Sequence, residues 1–386
     1  MESLGIGGAE KSLVTLLSQL DYSKYEVDLF LFRKEGDFLR LLPKEVRVLE
    51  VPEEFKEFIL SPKESILALI KNKRIKLLLL KFIELINIIF SNYILKKEYI
   101  GWNLISKSIN TINTKYDVAI GFLEKKSIYF VVDKVKAKNK IGWIHTDYDK
   151  VEHNYKIDCK KFKFLNKIIT VSEHCKEVMQ REYPEYKNKI EVISNMISPN
   201  LINDMANEKI EDIKIDKNTT VICTVARLTE AKGIDIAINC CERLINKNKN
   251  IKWIVIGDGD KRNELQELIN RKNLNEYFIL MGSRYNPYPY IKNCDIYVQP
   301  SKWEGFGITV LEAKALNKPI LVNNIPEFIE QIEDNKTGLI YKDLRDMINK
   351  LEMLIDNKNI AYKLSNNLKS ISIDNSEEMY KIVNLF

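Results

Sequence analysis

A chain of 386 residues, 45 % hydrophobic and 30 % charged, carries enough apolar surface for about two packed domains and too much to stay disordered. Its 60 Lys+Arg against 54 Asp+Glu give a formal net charge of +6, which is no nucleic-acid footprint, and 14 Gly with 10 Pro exclude a collagen-like or linker-like chain. No apolar run reaches the ~18 charge-free residues of a membrane span, and the six Cys lack metal-type spacing, so they read as reduced, mostly buried thiols of a cytosolic protein.

In chain order, the glycine-rich segment Gly5-Ile6-Gly7-Gly8-Ala9-Glu10 precedes a helical pattern over 11–20. Strands are expected at 25–32, 46–51, 116–122, 140–144, 167–171 and 190–193. Between them, residues 71–170 hold 21 Lys/Arg and 9 Asp/Glu. That stretch includes an apolar helix over 75–90, in which Lys81 and Glu84 argue against a full membrane span. Such a helix packs in a core or lies at a bilayer surface with basic neighbours on anionic lipid. Residues 194–218, with Pro199 and a charge cluster at 208–217, read as a helix-poor linker. The second half restarts with strands at 220–226, 251–256, 277–281, 295–299, 319–322 and 338–341, and helices such as 233–246 and 307–316. The alternation predicts an α/β fold: two Rossmann-like, doubly wound domains facing a cleft, with ligands at the carboxyl ends of the strands.

Four loops at strand ends carry residues suited to chemistry. Gly7 and Gly8 let backbone amides approach an anion at a helix start. Arg227 and Lys232 leave one strand end together, a planar fork and a point charge suited to a diphosphate. Glu304, Gly305, Phe306, Gly307 and Glu312 span a loop opening a helix, with Glu312 expected about two turns in and buried. Its two acids suit a sugar hydroxyl and a ribose. His145 lies just past a strand, whereas His153 and His174 sit in polar helical contexts and are given no role.

Taken together, Gly-Gly-Ala-Glu at 7–10, Arg-Leu-x-x-x-Lys-Gly at 227–233 and the Glu304/Glu312 pair around Gly-Phe-Gly resemble the family 4 retaining glycosyltransferases of the GT-B fold. Ile256-Gly257-Asp258-Gly259, Val298-Gln299-Pro300-Ser301 and Val192-Ile193-Ser194-Asn195 support the resemblance. It implies transfer of a sugar from a UDP- or GDP-type donor to a hydroxyl, in bacterial surface polysaccharide or glycolipid synthesis. Arg227 and Lys232 would hold the diphosphate, Glu304 a sugar hydroxyl and Glu312 the ribose. Gly259, Gly305, Phe306, Gly307, Gly7 and Gly8 would line the donor, and His145 would sit near the transferred sugar. No cofactor beyond the nucleotide sugar and no metal is expected. Asp258-Gly259-Asp260 mimics a metal motif, but Asp260 is read as a helix N-cap.

The resemblance divides the chain into 1–198, 199–373 and a C-terminal helix at 374–386 packing on the first domain. A lipid-linked glycan acceptor, membrane contact through 71–170 and a location at the inner face of the cell membrane follow as expectations, with no nucleic-acid partner. One departure stands out: relatives begin with a hydrophobic strand before the glycine loop, and here Met1-Glu2-Ser3-Leu4 already lies in the loop. The first strand is therefore expected to be absent, and the protein to be less stable than a version extended by about ten apolar residues, since unpaired buried backbone groups cost about 1–3 kcal/mol each. The rival readings are a nucleotide-sugar epimerase of the same fold and a catalytically impaired partner subunit.

Overall fold

The structure, a computed structural model, describes every residue except 91–101, 214, 215 and 217, together with the side chains of 87–90. Part of the basic stretch and of the 208–217 charge cluster therefore lies outside the described residues. The chain divides into two units, Met1–Ser194 with Ser376–Phe386, and Asn195–Asn375.

In the first unit, α1 (Gly8–Gln19) is followed by β1 (Asp28–Leu29), β2 (Arg47–Val48), α2 (Glu53–Ile59), α3 (Pro62–Lys71) and α4 (Ile75–Phe90). Then come β3 (Ile112–Gly121), α5 (Lys126–Lys134), β4 (Val135–Ile144), α6 (Tyr155–Phe162), β5 (Lys167–Thr170), α7 (Glu173–Glu182) and β6 (Ile190–Val192). β3, β4, β5 and β6 pair in parallel in that order, while β1 and β2 form a separate parallel pair. Among the described residues, side chains tie these two sheets together. Tyr116 Oη donates to Asp28 Oδ2 at 2.6 Å, Arg47 grips the same carboxylate at 2.6 and 2.7 Å, and Phe30 stacks on Phe130 at 4.4 Å. Arg47 holds the Asp28 carboxyl below its usual range. Met1–Leu4 run beside the chain beyond β1: Phe32 N donates to Met1 O, Arg33 N to Glu2 O and Leu4 N to Glu35 O.

The helices α3 and α4 present an apolar face to solvent. Leu77 and Leu80 pack inward, but Leu67, Ile70, Ile75, Leu79, Phe82, Ile83 and Ile86 are exposed, Ile75 by 69 %. The core-helix reading of 75–90 thus holds for one side only. No helix among the described residues is long and apolar enough to cross a membrane.

The second unit opens with α8 (Pro199–Met205) and continues β7 (Thr220–Val225), α9 (Ile234–Asn246), β8 (Ile251–Ile256), α10 (Arg262–Arg271), β9 (Phe278–Gly282), α11 (Tyr288–Asn293) and β10 (Ile296–Gln299). α12 (Ile308–Ala315), β11 (Ile320–Asn323), α13 (Pro326–Ile329), β12 (Leu339–Tyr341), α14 (Leu344–Asp356) and α15 (Lys358–Lys369) complete it. All strands are parallel, ordered β12-β11-β10-β7-β8-β9. Ile222, Trp253, Val255, Val298 and Leu321 pack with Ala237, Ile238, Cys241 and Leu244 of α9 in one core. Two of its buried polar side chains bond across strands: Trp253 Nε1 donates to Thr224 Oγ1 at 3.0 Å, which donates to Val298 O at 2.7 Å.

Each expected strand overlaps an observed one. Two local expectations are corrected. The supposed linker contains α8, because Ser198 caps it by accepting from Leu201 N and Pro199 fits its first turn. Asp260 caps nothing: α10 starts at Arg262 with Lys261 before it, and no side chain caps it. All six Cys are free, five of them buried and Cys159 partly so.

Candidate functional site

The sheet order of the second unit reverses between β7 and β10, neighbours that were strands far apart in sequence. At such a reversal the helices following adjacent strands go to opposite faces and leave a crevice beyond the carboxyl ends. The loops leaving those two strands carry Arg227, Lys232 and Glu304, and the second leads into α12, which carries Glu312.

The two loops are tied together. Gly233 adopts φ +61°, and a Cβ there would lie 2.1 Å from the Pro300 carbonyl oxygen, so only glycine lets the β7 loop pass under the β10 loop. Lys302 N donates to Ala231 O at 2.8 Å. Lys232 Nζ meets Glu304 Oε2 at 2.5 Å, and Glu304, 8 % exposed, accepts at its other oxygen from Ser301 Oγ at 2.7 Å. Gln299 Nε2 donates to that hydroxyl at 3.0 Å, Tyr297 Oη donates to Gln299 Oε1 at 2.8 Å, and Asn323 Nδ2 donates to Ser301 O at 2.9 Å. The ion pair therefore stands on a hydrogen-bonded column rising from β10.

Arg227 lies on the same loop as Lys232. It is exposed, and its guanidinium has no hydrogen bond or ion pair with any described residue. The buried Leu228 beside it anchors the loop: Leu228 N donates to Asp258 O and Lys261 N to Leu228 O. Gly259 serves this packing, since a Cβ there would come 2.4 Å from Leu228 O, and its N–H is taken by Asp258 Oδ1 at 2.8 Å. Asp258 also meets Arg262 at 3.4 Å, so its carboxylate serves its own turn.

α12 starts right after Gly307, which has φ +84° and offers no side-chain cap, so the helix start is left to a ligand or solvent. Phe306 O accepts from Gln331 Nε2, fixing the loop Gly305–Gly307 from α13's side. Glu312 is one turn into α12, not two, because the helix begins only at Ile308. It is fully buried, and its Oε1 accepts from Tyr288 Oη at 2.9 Å. Burial and that carboxylate push the Tyr288 phenol well above its usual range.

The remaining candidates belong to the first unit. Gly7 precedes α1 as its N-cap residue without a side-chain cap, and Gly8 is its first residue. His145 follows β4; its N–H donates to Glu124 Oε2 at 3.2 Å, and its ring lies 4.8 Å from Phe122 and stacks at 6.1 Å on Trp143. Sequence reasoning missed Tyr288 and gave Ser301 and Gln299 no partner. Ser301 and Gln299 were visible as polar residues in an apolar strand end; Tyr288, on α11, carried no signal.

Residues 205–371 match the family described as glycosyl transferases group 1. An uncharacterized glycosyltransferase of Methanocaldococcus jannaschii, MJ1059, is 34 % identical over 162 residues, 42 % of this chain and 40 % of that protein. The O-antigen biosynthesis glycosyltransferase WclY of Escherichia coli is 30 % identical over 174 residues, 45 % of this chain and 47 % of that protein. The chain thus spans about half the length, or less, of these curated relatives. Anabaena Alr3699/HepE, solved in complex with UDP and glucose, superposes with a TM-score of 0.67 at 17 % identity, covering 100 % of this chain and 97 % of that one. The fold is therefore that of the GT-B glycosyltransferases, with two Rossmann-like domains.

The Gly233→Ala variant should lose at least about 2 kcal/mol, from a left-handed backbone and the Pro300 contact, read as a drop in melting temperature of at least about 5 °C. An unchanged melting temperature would show that the two loops are not locked at this point.

Proposed function

We propose that the chain is a retaining glycosyltransferase that moves a sugar from a UDP- or GDP-type donor to a hydroxyl acceptor, without a metal ion, in surface polysaccharide or glycolipid synthesis. The observation that carries the reading is the loop after β7: an unpaired, exposed Arg227 beside a Lys232 already held in place by Glu304. The match of residues 205–371 and the part of WclY in O-antigen biosynthesis support it.

In the reaction, the C1–O bond to the diphosphate breaks and the leaving group gains charge. Preorganised cations and amides aimed at that charge are the largest catalytic term, about 10²–10³ in rate per group. Arg227 would clamp the diphosphate bidentately. Lys232 would exchange Glu304 for phosphate, which frees the Glu304 carboxylate to accept a donor-sugar hydroxyl while Ser301 keeps it in place. The amides opening α12 would complete the cradle. The departing phosphate oxygen takes the acceptor's proton as the new C1–O bond forms on the same face. Glu312 would reach the ribose only by sharing the carboxylate that Tyr288 now holds. Gly7, Gly8 and His145 keep the roles given by the resemblance alone.

Arg227→Ala should leave the melting temperature unchanged and weaken nucleotide-sugar binding about tenfold or more. Lys232→Ala should cut turnover at saturating donor by about 10²–10³. Wild-type turnover in Lys232→Ala would contradict its role, and donor consumption without any acceptor would favour an epimerase.

The exposed face of α3 and α4 is assigned to the membrane surface. Lys71, Lys73 and Lys76 are exposed and unpaired among the described residues, next to the apolar side chains of Ile70, Ile75 and Leu79. Apolar insertion flanked by cations fits anionic lipid, each cation adding about 1 kcal/mol. The protein should co-sediment with vesicles containing phosphatidylglycerol and not with phosphatidylcholine alone, and Leu79→Glu with Ile83→Glu should weaken this about tenfold or more. Equal sedimentation with both lipids, or no effect of the double variant, would contradict it.

A further inference from the structure

The first unit contains a cavity of about 300 Å³ that the chemistry above leaves unused. Chain segments leaving three strands meet at it. Arg33 comes just after β1, Phe55 and Phe58 lie on α2 after β2, and Lys126 opens α5 after β3. These are carboxyl ends of strands, where open α/β sheets bind ligands.

Lys81 reaches the cavity from the inner side of α4 and is only 6 % exposed. Its ammonium donates to Phe58 O at 3.0 Å and pairs with Glu84 at 2.8 Å, with the Phe58 ring centre 5.0 Å away. An ammonium has three N–H donors, so one remains without a partner among the described residues. A buried donor left over costs free energy unless something in the cavity accepts from it.

The cavity's cations are not all paired. Glu84 is paired with Lys81, and Arg33 is shared between Glu35 at 3.0 Å and Glu2 at 3.5 Å. Lys126 is the one lining cation without an ion pair or hydrogen bond among the described residues. The remaining wall is apolar, with the rings of Phe32, Phe55 and Trp102 beside Ile59 and Ile105. Flat apolar rings beside a few directed polar groups are what the C–H face and hydroxyls of a pyranose require. The volume is at the lower end for small-molecule sites and suits one sugar unit, not a chain of them.

We propose that this cavity binds a single anionic monosaccharide unit, a hexuronate or hexose phosphate, with its charge at Lys126 and a ring hydroxyl on Lys81. The assignment does not rest on Arg227 or Lys232, which belong to the second unit.

The test is a calorimetric and tryptophan-fluorescence titration of the full chain with glucuronic acid, glucose 1-phosphate, glucose and inorganic phosphate. The two anionic sugars should bind saturably, with glucose and phosphate at least about tenfold weaker. Lys126→Gln should cost about tenfold in affinity at an unchanged melting temperature, and Trp102→Phe should remove the fluorescence change while calorimetry still shows binding. Saturating UDP should not displace the ligand. No saturable binding, glucose or phosphate binding as tightly as glucuronic acid, displacement by UDP, or Lys126→Gln behaving as wild type would each overturn the proposal.

Discussion

The ion pair between Lys232 and Glu304 is the constraint on which the second unit's site depends. Neither partner is free to wander: the carboxylate is nearly buried and stands on Ser301, Gln299 and Tyr297, and the ammonium is carried by a loop that Gly233 passes beneath Pro300. Removing one member of such a pair strands the other charge away from water, which is strongly destabilising. An incoming anion that replaces Glu304 on the lysine avoids that cost, because the freed carboxylate can take a hydroxyl in exchange. The pair thus holds both groups in place before a ligand arrives, which is the form of preorganisation that electrostatic catalysis needs.

The same reasoning explains why the site sits where it does. A parallel sheet whose order reverses between β7 and β10 leaves room beyond their carboxyl ends. Close backbone packing at Gly233 and Gly259 then makes the loops after β7, β8 and β10 into one assembly. Gly259 packs against Leu228 and so helps to place Arg227.

The strands of both units were legible because Val-, Ile- and Leu-rich runs such as Ile251–Ile256 are bounded by turn residues and buried on both faces. Arg227, Lys232 and Glu304 were legible by their place at strand ends. What was hidden depends on contacts between distant segments. Tyr288 meets Glu312 from another helix, and no local pattern announces it. The helix α12 lies within one residue of its expected span, but Gly305–Gly307 are not helical, so Glu312 is one turn into the helix and not two turns along from Glu304. The helix α8 did leave a signal, Ser198 followed by Pro199, that the polar composition around it masked. In the first unit, sequence could not tell which side of α4 is covered; the fold buries Leu77, Leu80 and Lys81 and leaves Leu79 and Ile83 outside. The separation of β1–β2 from β3–β6, bridged by Tyr116, Asp28 and Arg47, is likewise a matter of tertiary pairing.

In the proposed reaction, cationic side chains and peptide amides of the second unit hold a diphosphate without a metal ion. Calorimetric titration with nucleoside diphosphates and the matching monophosphates, in EDTA, decides this. UDP or GDP should bind about tenfold to a hundredfold tighter than its monophosphate, from added charge-assisted hydrogen bonds, with no change on chelation. Equal affinity for diphosphate and monophosphate, or binding that EDTA abolishes, would contradict it.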